Sequence, residues 1–170
     1  DDVYGYNFAE NKPVMSPADH GTHVAGTVSA VNNNGIGVSG VAGGRYPKQG
    51  ARIMAIQVIH DSGSADFEKA AQYAADNGAI IAQNSWGYQG DVRYIYDSDR
   101  KAIDYFIDYA GIDSTGHQIG PMRGGLMVFA SGNDSKDFGY PAQYERALAV
   151  ASLGPDGKAA YYTNYGDWVD

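Results

Sequence analysis

Two histidines three residues apart are the side chains of this sequence with the clearest chemical potential. His20 and His23 lie in the run Asp-His-Gly-Thr-His-Val-Ala-Gly-Thr, which begins at Asp19. One imidazole could serve as a general base between a nucleophile and an orienting carboxylate. The two could also share a metal ion, because residues three apart lie on one face of a helix. Placement in the core or at the surface without a chemical role is the third interpretation, and the residue types alone leave all three open.

A helix is predicted to position these histidines. Val24 and Val28 are four residues apart and form an apolar stripe, and the small residues around them permit close packing. Asp19 is suited to the N-cap position, where its carboxylate would accept from the free N–H groups of the first turn. We therefore expect a buried, tightly packed helix whose N-terminal end places His20 beside a cleft.

The run from His20 to Thr27 resembles the histidine motif of the subtilisin-like serine proteases, the subtilases. The resemblance implies that His20 is the catalytic base and that His23 serves the packing of the helix. It therefore argues against a metal site, and no metal ligands are assigned. Segments later in the chain extend the resemblance in the order that the family has them.

Two members of the family's catalytic triad have no recognisable counterpart in the sequence. The family's aspartate lies upstream of the histidine in an Asp-Ser/Thr-Gly sequence, and neither Asp1 nor Asp2 has that context. The family's serine lies in a Gly-Thr-Ser-Met-Ala-type sequence that opens a central helix, and no such sequence occurs here. We therefore interpret residues 1–170 as a single catalytic-domain fragment that lacks the Asp strand and the Ser helix, and we expect the fragment itself to be inactive.

Length and composition indicate one domain and exclude some partners. The 170 residues are the length of an ordinary domain, and 44% hydrophobic residues suffice for a core. The 20 acidic and 12 basic residues give a net charge of -8, which disfavours nucleic acid and anionic membrane surfaces as partners. No apolar run reaches membrane-spanning length, so we expect no membrane insertion. The sequence has no cysteine, so its stability must rest on packing or bound ions.

Alternating apolar strands and amphipathic helices predict an α/β fold. Helices are expected over residues 65–77 and 97–112, and strands over residues 51–59, 79–83, 125–130 and 147–152. The succession of strand 51–59, helix 65–77 and strand 79–83 indicates a βαβ crossover with parallel strands. The resemblance implies a three-layer, subtilisin-like architecture with a mostly parallel sheet flanked by helices, incomplete at both ends, and a cis peptide bond before Pro141.

Residues at the carboxyl ends of the predicted strands resemble substrate-binding segments of the family. Ser85, Trp86 and Gly87 correspond to the Ser-x-Gly segment whose backbone pairs with an extended peptide. Ser62 and Gly63 correspond to the opposing substrate strand. A plain turn after the strand is the alternative for both segments. Ser85 lacks the Gly-x-Ser-x-Gly elbow, so we do not expect it to be the nucleophile.

A further segment follows the strand predicted at residues 125–130. Asn133 corresponds to the family's asparagine whose carboxamide donates to the oxyanion of the tetrahedral intermediate. Ala130, Ser131 and Gly132, which precede it, are predicted to line the peptide site. A turn asparagine is the simpler interpretation, but the histidine motif upstream favours the oxyanion role. His20 and Asn133 are therefore the predicted catalytic residues.

The loop of residues 32–42 is rich in Asn and Gly, which readily adopt turn and left-handed conformations. It resembles the subtilase loop that often holds a structural calcium ion through an Asn side chain and backbone oxygens. One residue is extra here, and another ligand would come from upstream sequence. A connecting loop is the alternative, because carbonyls and one Asn form a weak calcium site. No cofactor is expected to take part in the chemistry.

The resemblance implies that the intact protein is a serine endopeptidase, acting on protein or peptide substrates outside the cell or in the cell envelope. A pseudo-protease that binds peptides without cleaving them is the alternative, because it would keep the cleft and lack the nucleophile. Loss of an edge strand and the central helix would leave apolar surface exposed. Self-association of the truncated chain is therefore a further expectation.

Overall fold

The computed structural model describes residues 5–45, 48–60 and 63–170 of the chain. By its internal contacts the chain divides into two units, Asp1–Ala65 and Asp66–Asp170. The first unit carries the histidine motif, and the second carries Ser85 and Asn133. Across the described residues, no helix is both long and apolar enough to cross a membrane.

The first unit combines a helix with short paired strands. Helix α1 spans Asp19–Ser29. The strands form three ladders in the described part of this unit: β1 (Tyr6–Asn7) pairs in parallel with β4 (Ile56–Gln57), β2 (Gly44–Arg45) pairs antiparallel with β3 (Lys48–Gln49), and β5 (Ile59–His60) pairs antiparallel with β6 (Gly63–Ser64).

Helix α1 forms where the sequence predicts it, but its capping and burial differ from expectation. Asp19 is the first helical residue, and the N-cap is Ala18, which is extended and offers no side-chain hydrogen bond. A residue inside the helix cannot cap it, so Asp19 contributes instead as an acid in the first turn, where negative charge is favourable. No residue of α1 is buried, and a Cβ built at Gly21 would meet nothing within 4 Å. The predicted buried, tightly packed helix is therefore wrong for the described residues.

The interior strand predicted over residues 51–59 is much shorter in the structure. Its paired residues are those of β4 and β5, whereas residues 51–55 belong to no ladder in the described part of the chain. Strand β4 pairs with β1, which is two residues long, so the ladder between them is equally short. Ile53 keeps 39% of its surface exposed because strands do not flank it. The ladder joins β4 in parallel to β1 within the first unit.

The second unit contains a parallel sheet and two helices. Helix α2 spans Phe67–Asp76 and α3 spans Asp97–Tyr109. Strands β7 (Ile81–Asn84), β8 (Leu126–Ala130) and β9 (Leu148–Val150) form one parallel sheet in the order β7-β8-β9. Helix α2 packs against α3, and α3 packs against β8. Parallel strands flanked by helices confirm the predicted α/β class.

The core of the second unit lies between α3 and β8. Phe106 and Ile103 of α3 and Phe129 of β8 are fully buried, and Met127 is almost so. Met127 and Phe129 are two residues apart, so they point to the same face of the strand. Their burial removes apolar surface from water, at roughly 25 cal/mol per Å². This packing fixes the strand whose carboxyl end carries Asn133.

The ends of the helices follow from local residues. Asp66 caps α2 by accepting a hydrogen bond from the backbone N–H of Lys69 at 3.1 Å, which confirms a helix close to the predicted range. Helix α3 begins at Asp97 as predicted but ends at Tyr109, because Gly111 takes a φ of 71° and cannot continue it. The predicted cis peptide bond between Tyr140 and Pro141 is confirmed. One isolated antiparallel bridge joins Leu153 to Ala159, and the residues that follow it belong to no strand.

Candidate active site

The carboxyl ends of β7 and β8 bring two of the predicted peptide-binding segments together. Asn84 pairs with Phe129 in the parallel ladder, so Ser85 and Ala130 are the next residues on adjacent strands. A cavity of about 300 Å³ lies there, and its lining includes both residues. Ligands usually bind at this edge of parallel sheets. The structure therefore brings Ser85 and Ala130 to one place, as the sequence predicts.

The segment of Ser85, Trp86 and Gly87 is held by packing and by its own neighbours. The Trp86 ring lies 5.0 Å from the ring of Phe67 and 5.3 Å from that of Phe129, edge-on in both cases. Its indole N–H donates to the Oδ1 of Asn84 at 3.3 Å. The Trp86 ring is therefore half-buried in an aromatic cluster, directly after Ser85 at the cavity.

The backbone after Trp86 approaches another loop closely. Tyr88 donates its N–H to the carbonyl of Tyr140 at 2.8 Å, and a Cβ at Gly87 would lie 3.3 Å from that same oxygen. The Tyr88 hydroxyl donates to the carboxylate of Asp99 at 2.5 Å. Burial, and then this carboxylate, raise the pKa of Tyr88 above its ordinary value. The phenol therefore stays protonated at physiological pH and anchors the segment to α3.

Asn133 lies in the 131–139 loop that follows β8. It is exposed, and its carboxamide makes no hydrogen bond with another described residue. Gly132, directly before it, takes a φ of 116°, which side-chain-bearing residues rarely adopt. The amide is therefore available to donate to a bound substrate, and its oxyanion role stays a prediction.

Ser131 faces the interior rather than the cavity. It is 3% exposed, and its hydroxyl lies 3.3 Å from the hydroxyl of Thr163. Its N–H donates to the carbonyl of Val150 at 2.9 Å. The role of Ser131, Gly132 and the other loop residues in peptide binding stays a prediction, and for Ser131 a side-chain contact is disfavoured.

Asn164, which the sequence did not single out, holds the 131–139 loop in place. Asn164 is 3% exposed, and its Nδ2 donates to the carbonyls of Ser131 at 3.0 Å and Phe138 at 2.9 Å. Its Oδ1 accepts from the N–H groups of Asp134 at 2.9 Å and Lys136 at 3.1 Å. The surrounding sequence Tyr-Thr-Asn-Tyr-Gly is typical of a turn. No local signal separates Asn164 from an ordinary turn asparagine, because its partners are about thirty residues away.

Two glycines give Asn164 the room it occupies. A Cβ at Gly132 would lie 2.3 Å from the Nδ2 of Asn164, well inside van der Waals contact. A Cβ at Gly139 would lie 2.2 Å from the carbonyl oxygen of Ser131 and 3.2 Å from Nδ2. Both glycines are therefore required by the close approach of this amide.

His20 lies in the first turn of α1, and its imidazole is exposed, as is that of His23. Neither ring makes a hydrogen bond or ion pair with another described residue. His20 belongs to the first unit and Asn133 to the second. Gly63 pairs with His60 in the β5-β6 ladder, and Ser62 lies outside the described residues.

The Asn-rich loop supplies few oxygens for a calcium ion. The Oδ1 of Asn34 already accepts from the N–H of Ile36 at 3.0 Å. Asn32 donates from Nδ2 to the carbonyl of Gly40 at 3.0 Å, and its Oδ1 is buried without a hydrogen-bond partner. Over the described ranges, no group of three or more His, Cys, Asp or Glu could hold a metal ion. Calcium takes six to eight oxygens, often carboxylates, so these residues do not by themselves complete a calcium site.

Comparisons with known proteins identify related sequences and folds. A family model described as the subtilase family matches residues 1–170. The thermophilic serine proteinase of Bacillus sp. strain AK1 is 31% identical over 173 residues, covering 99% of this chain and 37% of that protein. Thermitase of Thermoactinomyces vulgaris is 33% identical over 173 residues, covering 99% of this chain and 53% of thermitase.

Solved structures give the same result. The subtilisin-like protease Apa1 from the Antarctic psychrotroph Pseudoalteromonas sp. AS-11 superposes with a TM-score of 0.71 at 27% identity, covering 98% of this chain and 35% of that one. The chain therefore spans about half the length, or less, of each of these proteins.

Proposed function

Because the chain belongs to the subtilase family, we propose that the intact protein is a serine endopeptidase that hydrolyses peptide bonds with an Asp/His/Ser triad. The observation that carries this proposal is the free, exposed carboxamide of Asn133 on a loop fixed to the carboxyl edge of a parallel sheet. The histidine motif at His20 supplies the expected base. The aspartate and the serine are proposed to come from parts of the protein outside these 170 residues.

The proposed chemistry is acyl transfer. The serine oxygen attacks the peptide carbonyl carbon while His20 takes the serine proton, and the carbonyl electrons move onto oxygen. Asn133 donates its amide N–H to that oxyanion. His20 then gives the proton to the leaving amine as the C–N bond breaks, and water hydrolyses the acyl-enzyme by the same steps. Without the serine no acyl-enzyme can form, so we expect the 170-residue chain alone to be inactive.

Peptide binding is proposed at the shared edge of β7 and β8. Ser85, Trp86 and Gly87 would pair through backbone groups with an extended peptide, and by family resemblance Ser62 and Gly63 belong to a second substrate-binding strand. Ala130 lines the cavity at this edge. Ser131 and Gly132 complete the wall through their backbone. The partner class is therefore protein or peptide.

No cofactor is proposed for the chemistry, since His20 both takes the serine proton and gives it to the leaving amine. A structural calcium ion in the loop of residues 32–42 is the alternative that the family suggests, but the described residues do not complete its ligand set. By family resemblance we place the intact protein outside the cell or in the cell envelope. The net charge of -8 is unfavourable for nucleic-acid binding.

The test compares hydrolysis of a broad chromogenic peptide panel by the full-length protein, its His20→Ala variant and the 170-residue chain. The matched control is His117→Ala, which removes an exposed imidazole from the loop after α3. Hydrolysis by the full-length protein and the control, lost in His20→Ala and absent from the short chain, supports the proposal. Peptide binding without hydrolysis by the full-length protein would instead favour the pseudo-protease.

A further inference from the structure

Asn164 connects the two peptide groups that flank Asn133. The backbone N–H of Asn164 donates to the carbonyl of Gly132 at 2.9 Å, and its Oδ1 accepts from the N–H of Asp134 at 2.9 Å. Gly132 and Asp134 are the residues on either side of Asn133. The backbone that carries the Asn133 side chain is therefore held from both ends by one residue.

The carboxamide of Asn164 forms hydrogen bonds to four backbone groups, and no other side chain of its size could form all four. Its Nδ2 donates to the carbonyls of Ser131 and Phe138, and its Oδ1 accepts from the N–H groups of Asp134 and Lys136. A carboxylate would lose both donors and place negative charge beside two carbonyls, and a hydroxyl cannot span four partners. Because the residue is 3% exposed, water cannot easily replace these bonds.

Neighbouring bonds extend the contact along the loop. Ser135 donates its N–H to the carbonyl of Tyr162 at 2.9 Å, and Tyr165 donates to the carbonyl of Lys136 at 2.9 Å. These bonds attach the segment of residues 162–165 to the loop at positions beyond Asn133. They hold the segment in place, so that the Asn164 carboxamide is presented to the loop in one orientation.

We propose that Asn164 is a positioning residue for the oxyanion donor, acting through Asn133. The inference rests on the proposed function, since it assigns Asn164 a part in the reaction that Asn133 is proposed to serve. Asn164 touches no reacting atom. It fixes the loop so that the Asn133 amide points at the oxyanion without reorganisation in the transition state.

The loss of this support should appear in turnover and not in substrate affinity. Displacing a catalytic group by about 1 Å can cost roughly 10²-fold in rate. We therefore expect Asn164→Ala in the full-length protein to lower kcat by about 10- to 10²-fold while KM changes by less than about threefold. If Asn164→Ala does not fold, Asn164→Ser, which keeps one polar group, should lower kcat in the same direction. Rates are expressed per active site, with the number of active sites titrated by the acylation burst.

A double-mutant cycle separates positioning from general destabilisation. If Asn164 acts through Asn133, then Asn164→Ala costs nothing further in the Asn133→Ala background, because the group to be positioned is gone. The matched control is Asn7→Ala, which removes another fully buried asparagine that bonds to Glu10 at 2.7 Å in the first unit. This control should lower stability and leave kcat within about twofold.

The kinetic results of these variants either support or overturn the positioning role of Asn164. A kcat loss in Asn164→Ala that disappears in the Asn133→Ala background supports the inference. An unchanged kcat in Asn164→Ala, or losses that multiply in the double variant, overturns it while leaving the proposed function intact. If the wild-type protein does not hydrolyse peptides, or if Asn133→Ala retains full kcat, then the proposed function fails and the inference fails with it.

Discussion

Asp134 donates its backbone N–H to the Oδ1 of Asn164 at 2.9 Å, across thirty residues of chain. This bond joins the loop after β8 to a segment that forms turns and belongs to no strand. Asp134 and Ser135 are exposed, and backbone bonds to residues 162–165 support this part of the loop. The loop is therefore held by a distant segment whose buried amide, Asn164, bonds to four of its peptide groups.

Replacing the proposed oxyanion donor should slow turnover without weakening substrate binding. Asn133→Ala in the full-length protein removes an amide donor that has no other described partner, so folding should be little affected. We expect kcat to fall by roughly 10² to 10³, the loss known for the corresponding donor of subtilisin, with KM nearly unchanged. Steady-state kinetics on the best peptide of the panel measures both constants.

The control for this experiment is Asp134→Ala, which alters an exposed side chain directly beside Asn133. Its carboxylate lies 3.7 Å from the ammonium of Lys136, and exposed pairs of this kind contribute about 1 kcal/mol or less. We expect kcat to stay within about twofold of the wild type. Equal losses in both variants would indicate damage to the loop rather than loss of a donor.

The core of the second unit should depend strongly on Phe106. This ring is fully buried, and it packs over Gly125, where a Cβ would lie 2.5 Å from a ring carbon. Phe106→Ala leaves a cavity and should lower the free energy of unfolding by about 3 to 5 kcal/mol. Chemical denaturation followed by tryptophan fluorescence measures it, because Trp86 and Trp168 lie in the same unit.

Tyr109→Ala is the matched aromatic truncation on the same helix. This ring is 53% exposed and packs at 4.8 Å on Tyr105, so its loss should cost about 1 kcal/mol. Similar losses in the two variants would contradict the assignment of the core to the face of α3 that bears Phe106.

The sequence alone predicted the parts of the fold whose burial follows a local period. Helix α2 is recognisable because its apolar residues recur at helical intervals, and strand β8 because it is a short continuous apolar run. Packing in the structure uses residues of both elements. Asn133 follows β8 as expected, and its predicted role comes from the resemblance to the subtilases. These features depend on residues close together in the chain.

The features that the sequence does not predict depend on contacts between residues far apart in the chain. The length of β4 is set by β1, which lies about fifty residues earlier and offers two residues. The exposure of α1 could not be predicted from its small residues, which suit a buried helix equally well. Asn164 resembles any turn asparagine until its bonds across the loop are known.

Glu10 should make the stability of the chain depend on acid pH. Hydrogen bonds from Ser16, then from Lys12 and Asn7, lower the pKa of Glu10 from 4.5 to about 2 in the folded state. The unfolded chain therefore binds this proton more readily, so the stabilisation is complete above pH 4.5 and is lost as pH falls through about 2.

Glu10→Gln tests this linkage, because the amide does not titrate. We expect the variant to be less stable than the wild type at pH 7 and the difference to shrink between pH 4.5 and 2. Urea unfolding followed by circular dichroism over this pH range measures it in both units. Glu145→Gln, an exposed carboxylate in the second unit, is the control and should leave the profile unchanged. A stability difference that stays constant with pH would contradict the assignment.

Chelation of calcium should leave the thermal stability of the 170-residue chain unchanged. The Oδ1 of Asn34 is engaged by Ile36, and the described residues offer no cluster of acidic ligands. An ion bound to the folded state alone would raise the melting temperature with its concentration. Thermal unfolding with excess EDTA and with millimolar calcium measures this. A calcium-dependent rise that Asn32→Ala abolishes would show that neutral loop oxygens suffice, since the Oδ1 of Asn32 is buried without a hydrogen-bond partner. The same rise in both proteins would place the ion elsewhere.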